Sequence, residues 1–273
     1  MTSDGAITSI EEFPKDYDSF APERRINDLG IRSFRDIADG DYITARMNYR
    51  AKLLPQFLWS SQQALEKYLK AILLFSRVSS KTVRHDNDRA LEMVLELPLG
   101  IKLDDGMKEV FDLVSTFGPD RYLTGSLYIT QYPLADLDRL VWYLRQFCVP
   151  LAMDFTDPNL LRLRQDELAA KVAATGMQVA GKGRVQDGKL ESIIADKHNS
   201  ARGALIHQNL YFGSKNRKVV LVRRWFSCIN SPLYLYPHMI DAVSELIFIS
   251  KEEREAFRQL AAQTPNRARP RND

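Results

Sequence analysis

The sequence predicts a mainly α-helical protein, an up-and-down bundle with a C-terminal helical extension that holds either a short strand or a hairpin. Three observations carry this prediction. In the stretch Asp41–Phe75, residues Leu58, Ser61, Leu65, Tyr68, Leu69 and Ile72 fall at three- and four-residue steps, on one face of a helix that other helices must cover. Ala64, Leu65, Glu66, Lys67, Leu69, Lys70 and Ala71 are strong helix formers, and Glu66 precedes Lys70 by four residues in the favourable order. Further runs of helical period follow, separated by short polar or Gly/Pro loops, which is the pattern of neighbouring helices in a bundle.

Taken in order, the chain opens with a polar stretch broken by Pro14, Pro22 and Gly30, read as an irregular arm over residues 1–30. The bundle is assigned to 31–150. Pro55 lacks an N–H and disfavours helix at Leu54, so the Asp41–Phe75 segment either kinks there or begins a second helix with Pro55 in its first turn. After a polar connector, Asp86 or Asp88 is placed to cap a helix through Glu96 that carries Leu91, Val94 and Leu95, ended by Pro98-Leu99-Gly100. Asp104 or Asp105 starts the next, with Val110, Phe111, Val114 and Phe117 on its apolar side and Gly118-Pro119 as its stop. Leu134, Leu137, Leu140, Val141, Leu144 and Phe147 define one more, reaching Cys148 before Pro150.

Within this part, the run YRAKLLPQFLWSSQQALEKYLKAILL resembles the first long helical segment of HEPN domains. The resemblance continues through His85-Asp86, the apolar residues Leu91, Met93, Val94 and Leu95, and Arg121-Tyr122 ahead of the last helix, covering about 36–150. It implies a small helical bundle of the kind found in toxin–antitoxin ribonucleases and nucleotidyltransferase partners. A fold hosts many activities, so function must come from the site.

Beyond Pro150 the composition changes. Leu160–Ala174 is helix-prone, and Gly176, Gly181, Gly183 and Gly188 mark a connector in which VAGKGRVQDGK is either a hairpin or a flexible loop. Leu190–Ala195 reads as a short helix, Val219–Val222 as a buried strand or a helix turn, and Pro237–Phe248 as a helix with Met239, Ile240, Val243 and Ile247 inward. The helix continues in KEEREAFRQLAA. This gives a basic, aromatic C-terminal region over 151–262 that packs on the bundle, and a disordered tail over 263–273.

Between Asp196 and Asp241 there are 44 residues and no acid, although the formal net charge of the whole chain is only +3. The interval holds Lys215, Arg217, Lys218, Arg223 and Arg224, interleaved with Tyr211, Phe212 and Trp225. Cations among aromatics suit phosphates and unpaired bases, so these residues, with Tyr211 and Phe212 as stacking surfaces, form the expected nucleic-acid site. The competing reading buries the aromatics and leaves the cations as a solvated edge. Inside the interval, RGALIH places Arg202 five residues before His207. Ribonucleases of the HEPN family carry an Arg, four to six mostly apolar residues and a His, and by that resemblance Arg202 and His207 form a catalytic pair shared across two subunits. The imidazole takes the proton from a ribose 2′-hydroxyl and the guanidinium offsets charge on the phosphorane, without a metal. On a straight helix the two side chains stand about 140° apart, which opposes their convergence within one chain.

Other classes find no residues to stand on. Phosphate-loop, dinucleotide, nucleophile-elbow and His-Glu-x-x-His motifs are missing from the sequence. No cofactor is expected, and His198 and His207 have no neighbouring Cys or carboxylate to complete a zinc set. The N-terminus carries acids and Pro14 where a signal peptide needs an apolar run, and no stretch approaches a membrane span, so the expectation is a cytoplasmic protein with Cys148 and Cys228 as buried free thiols. The expected function is RNA or nucleotide binding by a homodimer, with metal-independent ribonuclease activity of defence or toxin type and an antitoxin-like protein partner. The alternative is a catalytically silent dimerisation or protein-interaction module.

Overall fold

A computed structural model describes residues 22–119, 126–129, 132–151, 158–175, 184–213 and 227–263. The fold is mainly α-helical. Helix α1 (Pro22–Leu29) runs through a π-helical turn, Gly30–Arg35, into α2 (Asp36–Arg50). The irregular arm expected up to residue 30 is therefore corrected from Pro22 onward. Gly30 makes this possible: a Cβ there would lie 2.7 Å from Cε1 of Phe75, so only a bare Cα lets the turn lie against α3.

The chain reverses at Ala51–Leu53, where Lys52 has φ of 61° and the three amides bond back to Met47, Tyr49 and Asn48. Helix α3 (Leu54–Phe75) then begins with Pro55 in its first turn, so Pro55 starts a helix rather than kinking one. Its predicted inward residues Leu58, Ser61, Leu65, Tyr68, Leu69 and Ile72 are all buried, and α3 packs most extensively on α2. Of the two candidate caps, Asp86 is the one that caps α4 (Asn87–Leu95), accepting from Arg89 N at 2.9 Å. Asp104 caps α5 (Asp105–Phe117) by accepting from Met107 N at 3.1 Å. Helix α6 (Pro133–Arg145) lies against α5 and α3 and closes the bundle.

After α7 (Pro158–Thr175), short helices α8 (Lys189–Ala195) and α9 (Arg202–Ile206) lay Leu190, Ile193, Ala204, Leu205 and Phe212 into the same core as the bundle. Strand β1 (Leu127–Ile129) pairs antiparallel with β2 (Ser227–Ile229), Tyr128 opposite Cys228. The strand candidate Val219–Val222 and the tail lie outside the described residues, as does most of the glycine connector; its described part, 184–188, is irregular. In β2 Cys228 is exposed, which corrects the expected burial: it sits in a two-stranded ribbon outside the helical core. Cys148 is buried, and burial pushes its thiol well above the usual range.

The last part forms a separate small cluster. Helix α10 (Pro232–Leu235), a 3-10 turn (Pro237–Met239), α11 (Ile240–Ser244) and α12 (Lys251–Gln263) enclose Leu233, Ile240, Ile249 and Phe257. The single helix expected over Pro237–Phe248 is thus shorter. With only α12 and its neighbouring turn to pack on, Ile240 is buried, whereas Met239 and Ile247 stand exposed. Among the described residues no helix is long and apolar enough to cross a membrane.

Candidate nucleic-acid interface

The RGALIH segment is held from beneath by α2. Arg46 is fully buried; its Nε donates to Ala204 O at 3.0 Å, Nη2 donates to His207 O, and Nη1 pairs with Asp138 on α6. Tyr42, one turn before Arg46, donates its hydroxyl to Asp138 Oδ1 at 2.7 Å and accepts from Asn209 Nδ2 at 2.9 Å. Asn209 Oδ1 in turn accepts the amides of Tyr211 and Phe212 at 2.9 and 3.0 Å. One polar chain therefore runs from α6 through α2 to the backbone of 204–212. Buried polar groups need such partners, and here they also fix where the motif sits.

Burial pushes the Asp138 carboxyl upward, against the opposing pull of Arg46 and Tyr42. Burial likewise disfavours the Arg46 cation, but Asp138 more than offsets it and keeps the guanidinium protonated. Tyr42 stays a neutral phenol, since burial and then the nearby carboxylate both raise its pKa.

Above this anchor the two motif side chains lie at the surface. Arg202, at the first turn of the five-residue α9, is half-buried and donates from Nε to Ile194 O at 2.9 Å; no carboxylate pairs with it among the described residues. His207 is exposed, and the helix stops at Ile206, with φ of −67° and ψ of 121° at His207. His207 therefore stands on extended backbone beyond the end of α9, not on the same straight helix as Arg202. Gly203 between them is exposed, and a Cβ there would meet nothing within 4 Å. Lys197 and His198 extend the exposed face towards α8.

The expected stacking residues behave differently. Phe212 is buried, its ring 5.6 Å from that of Tyr42, and this takes it out of the stacking role. Tyr211 is half-buried against Trp142 at 5.3 Å. Lys215, Arg217, Lys218, Arg223 and Arg224 lie outside the described residues, as does Arg121-Tyr122.

Sequence reasoning misses the anchors. Arg35, Asp39, Tyr42, Arg46 and Tyr49 recur at three- and four-residue steps on α2 and the turn before it, a polar stripe where an apolar one belongs. That placement is the signal for the buried partners of Asp39, Tyr42 and Arg46. Asp39 bears it out: it holds Arg145 at 2.8 and 2.9 Å and accepts from Tyr68 at 2.6 Å, while Arg145 also grips Glu191 on α8 at 2.7 Å.

Residues 31–139 match the family model of the HEPN domain, and the segment carrying RGALIH lies beyond the match. No curated protein and no solved structure matches the chain.

Proposed function

We propose that the protein binds RNA through the exposed face formed by Lys197, His198, Arg202 and His207, together with the basic residues that follow. The observation that carries this reading is the clamp of Arg46 on the Ala204 and His207 carbonyls: it fixes the motif backbone from below and leaves Arg202, Gly203 and His207 at the surface, inside an interval without acids. A rigid cationic surface suits phosphate binding, which makes affinity fall with salt. Gly203→Glu tests it directly. The substitution meets no steric obstacle and adds an anion to the centre of the face. Retention of single-stranded RNA should fall, with a salt slope shallower by about 0.7 for each phosphate that the face no longer neutralises. Retention equal to that of the unsubstituted protein at every salt concentration would overturn the assignment, and Arg217→Glu with Lys218→Glu measures the share of the following basic residues.

The end of the helix before His207 favours a sharper reading, a metal-independent ribonuclease. His207 then moves the 2′-hydroxyl proton and Arg202 stabilises the phosphorane, in a homodimer that brings the pairs of two subunits together. RNA cleavage in EDTA that ends in a cyclic phosphate and vanishes in His207→Ala supports it. Equal cleavage by both proteins leaves RNA binding as the function.

A further inference from the structure

A cleft between α6 and α7 is left under-filled by the residues that line it. Helix α7 meets the bundle core through Leu161 and Leu168, and the residues that follow on that side, Ala169, Val172 and Ala173, are small. Opposite them stand Trp142 and Tyr143 at the end of α6 and Phe147 just after it. Residues 99–104 form the third wall and enclose, with the two helices, a space of about 370 Å3. That is within the range of small-molecule sites, roughly 300–1,000 Å3. Large rings facing alanines leave dispersion contacts unmade, and an apolar body in the space would supply them.

The polar groups of the cleft select the head of such a ligand. Asp104 is engaged within the protein: it accepts from Met107 N as the cap of α5 and pairs with Arg139. Gln146 donates its amide to Trp142 O at 3.2 Å. The Tyr143 hydroxyl oxygen accepts the Lys102 amide at 3.0 Å, which fixes the ring at the wall and leaves the O–H proton to donate elsewhere. Burial keeps Tyr143 a neutral phenol, raising its pKa against the pull of that amide. Lys102 is itself exposed, and its ammonium meets no carboxylate among the described residues. One ammonium and one hydroxyl match a carboxylate of single charge. No arginine lines the cleft among the described residues, so the bidentate fork that suits phosphate is missing.

We propose that this cleft binds a small monocarboxylic acid with an apolar body, the body among Trp142, Tyr143 and Phe147 and the carboxylate on Lys102 and the Tyr143 hydroxyl. The test is calorimetric titration of the full chain with octanoate and with octanol, beside two variants. Lys102→Glu reverses the charge and keeps the backbone amide that holds Tyr143, and Ala169→Trp fills the space from the half-buried side of α7. Expected are saturable octanoate binding at one per chain and octanol weaker by about tenfold or more. Lys102→Glu, at unchanged melting temperature, should weaken octanoate by a similar factor and leave octanol as it was, and Ala169→Trp should remove the binding of both. No saturable binding of octanoate, octanol bound as tightly as octanoate, or octanoate affinity unchanged in either variant overturns the proposal. The cleft shares no residue with the face of Lys197, His198, Arg202 and His207, so its failure leaves the RNA reading standing.

Discussion

Arg46 shows how one residue ties the family domain to the segment beyond it. Its guanidinium serves three acceptors, the buried Asp138 and Ala204 O and the part-buried His207 O. Arg46→Met fits the volume but leaves the buried Asp138 carboxylate with Tyr42 alone among the described residues, and removes the Arg46 donors to the Ala204 and His207 carbonyls. Breaking a buried pair from one side costs about 3–5 kcal/mol. Chemical denaturation should show a loss of that size, and Arg46→Met with Asp138→Leu should recover part of it, because the stranded charge is gone. A loss under about 1 kcal/mol in the single variant would mean that water or other donors reach these groups. RNA retention should drop with the clamp even in folded Arg46→Met. Sequence alone does not disclose this: Arg46 reads as an ordinary helix residue until the stripe of Arg35, Asp39, Tyr42 and Tyr49 beside it is noticed.

Helix α8 is fastened to the bundle by charge as well as by Leu190 and Ile193 in the core. Arg145 of α6 is shared between Asp39 and Glu191, and Glu191 Oε1 also accepts the Val185 amide at 3.0 Å. Burial pushes the Glu191 carboxyl up, but the Arg145 hydrogen bonds and charge and the Val185 amide outweigh it and hold the group below its ordinary value of 4.5. A depressed carboxylate gives stability that is complete above its unfolded pKa and is lost as pH falls through the folded one. The acid limb of the stability profile should therefore be shallower in Glu191→Gln, read as melting temperature against pH below about 4.5. Asp138, raised by burial, acts with the opposite sign, so the difference between the two proteins, not either curve, isolates Glu191. Coinciding acid limbs would show that the pair adds nothing. Gly188 belongs to the same joint, since a Cβ there would lie 2.1 Å from Glu191 Oε2 and 2.6 Å from Arg145 Nη2. At this scale much is legible in the sequence. The helices of the bundle, α7 and α8 declare themselves through local periodicity and breakers, whereas the joints between them depend on residues 92 to 161 positions apart that no local pattern links.

The whole molecule divides by its cores. One cluster runs through the bundle and on to Phe212, and a second of Leu233, Ile240, Ile249 and Phe257 stands by itself, following β2 and its pairing with β1. Periodicity marks helices but not which core they join. Among the described residues little holds the small cluster: Leu246 and Phe248 are 85% and 90% exposed, and α12 meets α11 and the 3-10 turn through Phe257 and Leu260. Below about 40 residues a core of this size is marginal without outside support. Opening of 232–263 should then cost less than opening of the bundle, and native-state hydrogen exchange separates the two. Phe257→Ala removes the largest ring of the small core, with a loss of about 3 kcal/mol or more for a buried Phe. Amides of α11 and α12 should exchange near the unprotected rate in this variant, with those of α3 unchanged. Protection lost equally in α3 would show that the two clusters unfold together and that the strand pair couples them into one cooperative unit.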